Sequence, residues 1–249
     1  MAQARPLVLS IGGFDPSGGA GIGADLKTFE KLKVYGLSVL TANTLQHEDK
    51  FMAPGFVNQE MILKQLSLIL EKHRPAYVKI GLIENTGVLK SVLGVLKTAE
   101  LEKRIIWDPV MKAGAGFDFH DRMPAKVLNE ILPLLLAITP NYEEAARLGD
   151  GSEPEKNAEE MGKYCAVILK GGHNPTTPGK DFLFYGGNRF SFNPGNGRFH
   201  FKHGSGCVFA AALTAFLARG FTLNRAVLRA KRYTEKFLAS APEKLGFHS

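Results

Sequence analysis

Six short apolar runs recur along the chain, each followed by a stretch with helical periodicity. They are "PLVLSI" (6–11), "GLSVLTA" (36–42), "AYVKIG" (76–81), "RIIWDPV" (104–110), "LLAIT" (135–139) and "AVILKGG" (166–172). Runs that are apolar without alternation are what strands covered on both faces require. Strand–helix alternation of this kind predicts a doubly wound, mostly parallel α/β sheet with right-handed crossovers. The clearest helix between runs is 58–73, where Ile62, Leu66, Ile69 and His73 share one stripe.

The pattern changes after residue 180. "DFLFYGG", "RFSFNP" and "RFHF" are short, aromatic and divided by Gly, Pro and Asn, which predicts an antiparallel meander. Two helices, near 207–219 and 222–240, then close the chain. The second carries Arg225, Arg229, Arg232 and Lys236 on one face, and Val227, Ala230, Tyr233, Phe237 and Leu238 on the other. A solvated outer face accounts for that part of the +7 net charge, and no interleaved aromatics or module argue for nucleic acid. The absence of a linker or repeat makes one domain, 1–249, the expectation.

The two cysteines, Cys165 and Cys207, form neither a zinc array nor a disulfide framework, so a reducing cytoplasm is expected. The opening "MAQARPLVLSIGG" does not read as a signal peptide. The longest strongly apolar stretch, "ILPLLLAI" (131–138), is far below the roughly 20 residues of a membrane span, so no membrane role is expected.

Chemistry-bearing residues collect where the strands end. The loop "GFDPSGGAGIGADLKTF" (13–29) contains a dinucleotide-like glycine spacing, but "GFDPSG" separates it from the strand and the next strand ends in Asn43 rather than an acid. No P-loop is present. Such a glycine-rich loop nonetheless lines the usual ligand crevice of an open α/β sheet. The turn Gly204-Ser205-Gly206 opens an apolar helix, which makes an anion site from backbone N–H groups and the helix dipole, unless Ser205 is simply an N-cap. "ITPNYEEAARL" (138–148) puts Asn141 and Glu144 one turn apart. They suit either Mg²⁺ shared with phosphates or a capped helix start. Asp108 ends "WDP" ahead of an expected flexible loop (107–116), and Lys170 opens "KGGH" (170–173). His200, His203 and Cys207 also allow a thiol–histidine or metal reading, but too few ligands accompany them.

With "VKIGLI" (78–83) added, these segments make six motifs that resemble, in order and over nearly the whole length, the ribokinase-like superfamily. Within it they are most similar to the hydroxymethylpyrimidine/phosphomethylpyrimidine kinases of thiamine biosynthesis, with pyridoxal kinases close by. The resemblance implies a ribokinase-like fold and ATP-dependent phosphorylation of the hydroxymethyl group of 4-amino-5-hydroxymethyl-2-methylpyrimidine, and of its monophosphate. It implies that Cys207 is the base and that Gly204, Ser205 and Gly206 hold the transferring phosphoryl group. A helix N-terminus is expected to lower the Cys207 thiol below its ordinary pKa of about 8.5. Asp108 and Glu144, with Asn141, would hold Mg²⁺ and its waters. Lys170 and Asn141 would face ATP. Gln46 would bond the aminopyrimidine in a pocket lined by Gly13, Asp15, Ala20, Leu82 and Val110.

Departures from the family pattern border that pocket. The usual "AQN" reads "LQH" (45–47), Thr44 stands where a small apolar residue is common, and Leu82 replaces a frequent methionine. A pyridoxal or pyridoxine kinase is therefore the alternative, and an inactive anion- or nucleic-acid-binding protein on the same fold a more distant one. A homodimer is expected.

Overall fold

A computed structural model describes residues 4–249 except 113 and 115. The strands are β1 (Leu7–Phe14), β2 (Tyr35–His47), β3 (Lys50–Phe56), β4 (Tyr77–Ile80), β5 (Ile105–Trp107), β6 (Ala137–Ile138), β7 (Ala166–Leu169), β8 (Asp181–Tyr185) and β9 (Asn188–Phe192). The helices are α1 (Gly21–Lys31), α2 (Gln59–Lys72), α3 (Thr86–Thr98), α4 (Ala125–Ile131), α5 (Tyr142–Arg147), α6 (Pro154–Met161), α7 (Ser205–Ala218) and α8 (Leu223–Leu238). All nine strands join one sheet in the order β3-β2-β1-β4-β5-β6-β7-β8-β9. β2, β1 and β4 to β7 are parallel, whereas β3 and β8–β9 add antiparallel edges. The six apolar runs are the six parallel strands.

The sheet is covered on both sides. One core takes α2 to α6, through Ile62, Leu66, Leu89, Leu93 and Leu128. The other takes α1, α7 and α8, through Phe29, Val208, Leu213, Ala230 and Phe237. α7 is buried continuously from Val208 to Leu217, which is why its sequence is apolar all round. α8 is amphipathic as its spacing predicted, with Arg225, Arg229, Arg232 and Lys236 exposed.

Two segments differ from the sequence reading. "RFHF" (198–201) is not a third meander strand, because β8 and β9 complete the hairpin and the chain then turns back toward α7. In addition β2 runs on to His47 and folds back as β3. "KFMAPGF" hides its strand character behind Pro54 and Gly55. An edge strand tolerates them because one of its sides has no ladder to supply.

Candidate active site

Parallel strands that share a direction bring their carboxyl ends to one edge, and the loops there meet. Gly13 lies one residue before the end of β1, Gln46 lies near the end of β2 and Leu82 follows β4. Asp108 follows β5, Asn141 follows β6 and Lys170 follows β7. The start of α7 enters from behind. Gly13, Asp15, Ala20, Gln46, Leu82, Asp108, Val110, Asn141, Glu144, Lys170 and Gly204 through Cys207 all line one cavity of about 190 Å³. A second cavity, also about 190 Å³, adjoins it and is lined by Gly179, Asp181, Pro194, Phe199, Phe209 and Leu238. The two share Asn141, Lys170, Ser205 and Gly206. A larger hollow of about 970 Å³ lies between α2 and α3, but it gathers no comparable set of facing groups and is remote from these strand ends.

The anion turn is built from glycine by necessity. Gly204 caps α7 in the left-handed region (φ 75°), and a Cβ there would collide with the Gly19 carbonyl. Ser205 is therefore not the N-cap; it is the first helical residue. No side chain caps the helix, so the N–H groups of its first turn are left for a ligand.

The glycine-rich loop is tied to that turn through Asp15. Asp15 Oδ2 accepts from His203 Nε2 (2.8 Å), Ser17 Oγ (2.7 Å) and the Ala20 N–H (2.9 Å). Burial pushes this carboxyl up, but the His203 and Ser17 hydrogen bonds outweigh it and hold the pKa at about 2. Asp15 thus lines the cavity with its oxygens engaged in the wall. His203 serves this pair, not a thiol–histidine dyad.

Cys207 is the third residue of α7, where Sγ meets the Gly21 N–H. The expectation of a lowered pKa is corrected here. Burial pushes the thiol up to about 11; Lys79 pulls it down, while Asp108 and Asp25 oppose Lys79. A helix end does not compensate for removing a thiolate from water. Cys165, just before β7, is buried and pushed up to about 12 by desolvation.

Lys79 was not singled out from sequence, although a lysine inside an apolar strand is the available signal. It is 1% exposed and donates to both Asp25 oxygens at 2.9 Å; Ser10 donates to Asp25 Oδ2 at 2.6 Å. Despite desolvation, the charge of Asp25, with Asp108 behind it, raises the Lys79 pKa and keeps it a cation.

On the other side, Lys170 Nζ lies 2.9 Å from Asp108 Oδ1 and 3.8 Å from Glu144 Oε2. Thr139 also donates to Asp108 Oδ1 (3.0 Å). Asn141 and Glu144 form a reciprocal capping box, with Asn141 Oδ1 accepting from the Glu144 N–H and Glu144 Oε2 from the Asn141 N–H. Burial pushes the Glu144 carboxyl up to about 7. Among the described residues no three His, Cys, Asp or Glu side chains form a metal cage. Two adjacent carboxylates, each with one oxygen already engaged, instead suit a Mg²⁺ ion that keeps several waters and leans on phosphate oxygens.

The far wall carries Gln46, whose Nε2 donates to Thr44 Oγ1 (2.8 Å); Thr44 in turn donates to the Phe14 carbonyl (2.8 Å). Phe51 on β3 meets Phe117 in a tilted contact at 4.8 Å and Phe119 edge to face at 5.1 Å, and Phe51 and Phe119 face the cavity. Positions 113 and 115 of the expected flexible loop lie outside the described residues.

The family model for phosphomethylpyrimidine kinase matches residues 15–248. The chain belongs to this family. It is 36% identical over 244 residues to a hydroxymethylpyrimidine/phosphomethylpyrimidine kinase of Rhizobium meliloti, covering 94% of this chain and 91% of that protein. Among solved structures, the phosphomethylpyrimidine kinase of Clostridium difficile superposes with a TM-score of 0.76 at 30% identity, over 92% of this chain and 98% of the other. A Staphylococcus aureus pyridoxal kinase in complex with AMP-PCP and pyridoxal gives a TM-score of 0.79 at 29% identity, over 95% and 89%. The kinase fold expected from sequence is thereby established, and the chain is a member of a phosphotransferase family. No helix among the described residues is long and apolar enough to cross a membrane.

Proposed function

We propose that this kinase uses ATP to phosphorylate the hydroxymethyl group of 4-amino-5-hydroxymethyl-2-methylpyrimidine, and then its monophosphate, in thiamine biosynthesis. The observation that carries this reading is the pair of cavities meeting at the first turn of α7, with Cys207 on one side only. In it the nucleotide lies along Gly179, Pro194, Phe199 and Leu238, and the acceptor lies against Gln46, Leu82 and Val110. A phosphoryl group crossing between them passes the Ser205 and Gly206 N–H groups, where negative charge develops.

The hydroxyl oxygen attacks the γ-phosphorus, the bond to ADP breaks, and Cys207 Sγ receives the hydroxyl proton. A thiol at about pKa 11 is seldom ionised at neutral pH, but it is a strong base when it is. Lys79 supplies the positive charge that makes that state accessible. Mg²⁺ at Asp108 and Glu144 would neutralise phosphate charge. Lys170 positions both carboxylates and faces the phosphates. The proposed setting is cytoplasmic, as a homodimer.

Gln46, held by Thr44, keeps a second N–H and its carbonyl oxygen, which match a ring nitrogen and an exocyclic amine. An ATP-dependent assay with the pyrimidine, its monophosphate and the B6 vitamers side by side tests the reading. The pyrimidine should give the highest kcat/KM, and preference for pyridoxal would overturn the substrate while leaving the kinase chemistry.

A further inference from the structure

The loop between β7 and β8 has little apolar surface to hold it. Its residues 175–178, "PTTP", are exposed, and it gives Gly172 and Gly179 to the wall of the second cavity. Asn174, by contrast, is 3% exposed and uses its whole amide. Its Oδ1 accepts from the Thr176 N–H (2.9 Å), the Thr176 hydroxyl (2.9 Å) and the Thr177 N–H (3.1 Å). Its Nδ2 donates to Thr177 Oγ1 (2.8 Å) and to Tyr142 Oη (2.7 Å).

The bond to Tyr142 leaves the loop. Tyr142 is the first residue of α5, next to Asn141 and two before Glu144. Its phenol donates to Oε1 of Glu155 on α6 (2.8 Å), and Glu155 Oε2 accepts from Arg189 Nη2 on β9 (2.7 Å). The Arg189 guanidinium lies 4.1 Å over the ring of Phe182, where β8 leaves the same loop. A carboxylate only accepts, so the phenol hydrogen points at Glu155 and its oxygen is left for the Asn174 amide. The direction of every bond in the chain is thereby fixed, and each bond polarises the next. Tyr142, Glu155, Asn174 and Arg189 all stand behind the walls of the two cavities.

We propose that Asn174 and Tyr142 are positioning residues for the nucleotide, tying the loop that carries Gly172 and Gly179 to the helix start that carries Asn141 and Glu144. The tie presets the spacing of two walls between which the nucleotide lies. A loop already ordered by it does not have to be ordered when the nucleotide binds. The inference rests on the placement of the nucleotide in the second cavity, so its loss should fall on nucleotide affinity and spare the acceptor.

The test is titration calorimetry of the wild type, Tyr142→Phe, Asn174→Ala and the double variant. Each is titrated with ADP in magnesium chloride, and separately with 4-amino-5-hydroxymethyl-2-methylpyrimidine. Tyr142→Phe removes one oxygen atom and should raise the Kd for ADP on the order of 5-fold, the worth of one hydrogen bond. Asn174→Ala also frees the bonds inside the loop and should raise it on the order of 10-fold or more. The double variant should bind ADP no more weakly than Asn174→Ala, because both changes break one chain, whereas independent losses multiply. The Kd for the pyrimidine should stay at the wild-type value throughout. Wild-type ADP affinity in Tyr142→Phe would overturn the proposal, as would losses that multiply or an equal weakening of the pyrimidine. If Asn174→Ala fails to fold, Tyr142→Phe alone decides. A wild type that binds no ADP overturns the nucleotide placement and this inference together. Tight ADP binding by every variant removes only the positioning role and leaves the kinase reading standing.

Discussion

Cys207 shows how one residue's chemistry depends on what surrounds it. Its helix-start position argues for an acidic thiol, but burial beside Asp108 and Asp25 wins and holds it near pKa 11. Alkylation by iodoacetamide in the empty enzyme should therefore keep accelerating above pH 9 instead of levelling near 8.5, with Cys165→Ala used to remove the background. Cys207→Ala should lose about 10²–10⁴ in turnover, the usual worth of a general base, while nucleotide affinity is retained. Turnover within a fewfold of wild type would remove Cys207 from the chemistry. Gln46 makes the complementary case on the acceptor side. A buried polar group left unpaired costs about 1–3 kcal/mol, so Gln46→Leu should erode preference for the pyrimidine by roughly one to two decades, measured as the ratio of kcat/KM values for pyrimidine and pyridoxal. Unchanged selectivity would shift the reading of that wall to Thr44 and the aromatic cluster.

Among the elements, the join between α7 and the glycine-rich loop controls the site. Gly204 combines a positive φ with contact against the Gly19 carbonyl, so Gly204→Ala must move both segments. Backbone strain at such a position costs on the order of 1–3 kcal/mol, and the steric clash adds to it. Denaturant titration should show that loss, and turnover should fall further than stability alone explains. A variant as stable and active as the wild type would show that the turn tolerates another path. The neighbouring Lys79–Asp25 pair couples α1 to β4 beneath the same turn. Its lysine is visible in "AYVKIG", but its partner lies 54 residues away in sequence, so no local pattern joins them.

Taken as a molecule, the chain has one sheet whose two faces carry separate apolar cores, and the expected single domain has a direct consequence. Heating should give one cooperative transition, because both cores share the strands between them. ATP and the pyrimidine should each move that same transition upward. Two separated calorimetric peaks would argue for independently folding parts. What the sequence determined by itself was the set of parallel strands, the covering helices and the motifs at the strand ends. Periodicity is local, and a shared strand direction sends every carboxyl end to one edge. The β3 edge, the Asp15–His203 tie, the elevated thiol and the pairing of the buried Lys202 with the Ala241 and Glu243 carbonyls were decided by tertiary structure alone. Each depends on which groups burial brings together across long stretches of chain, and desolvation is a property of that final packing.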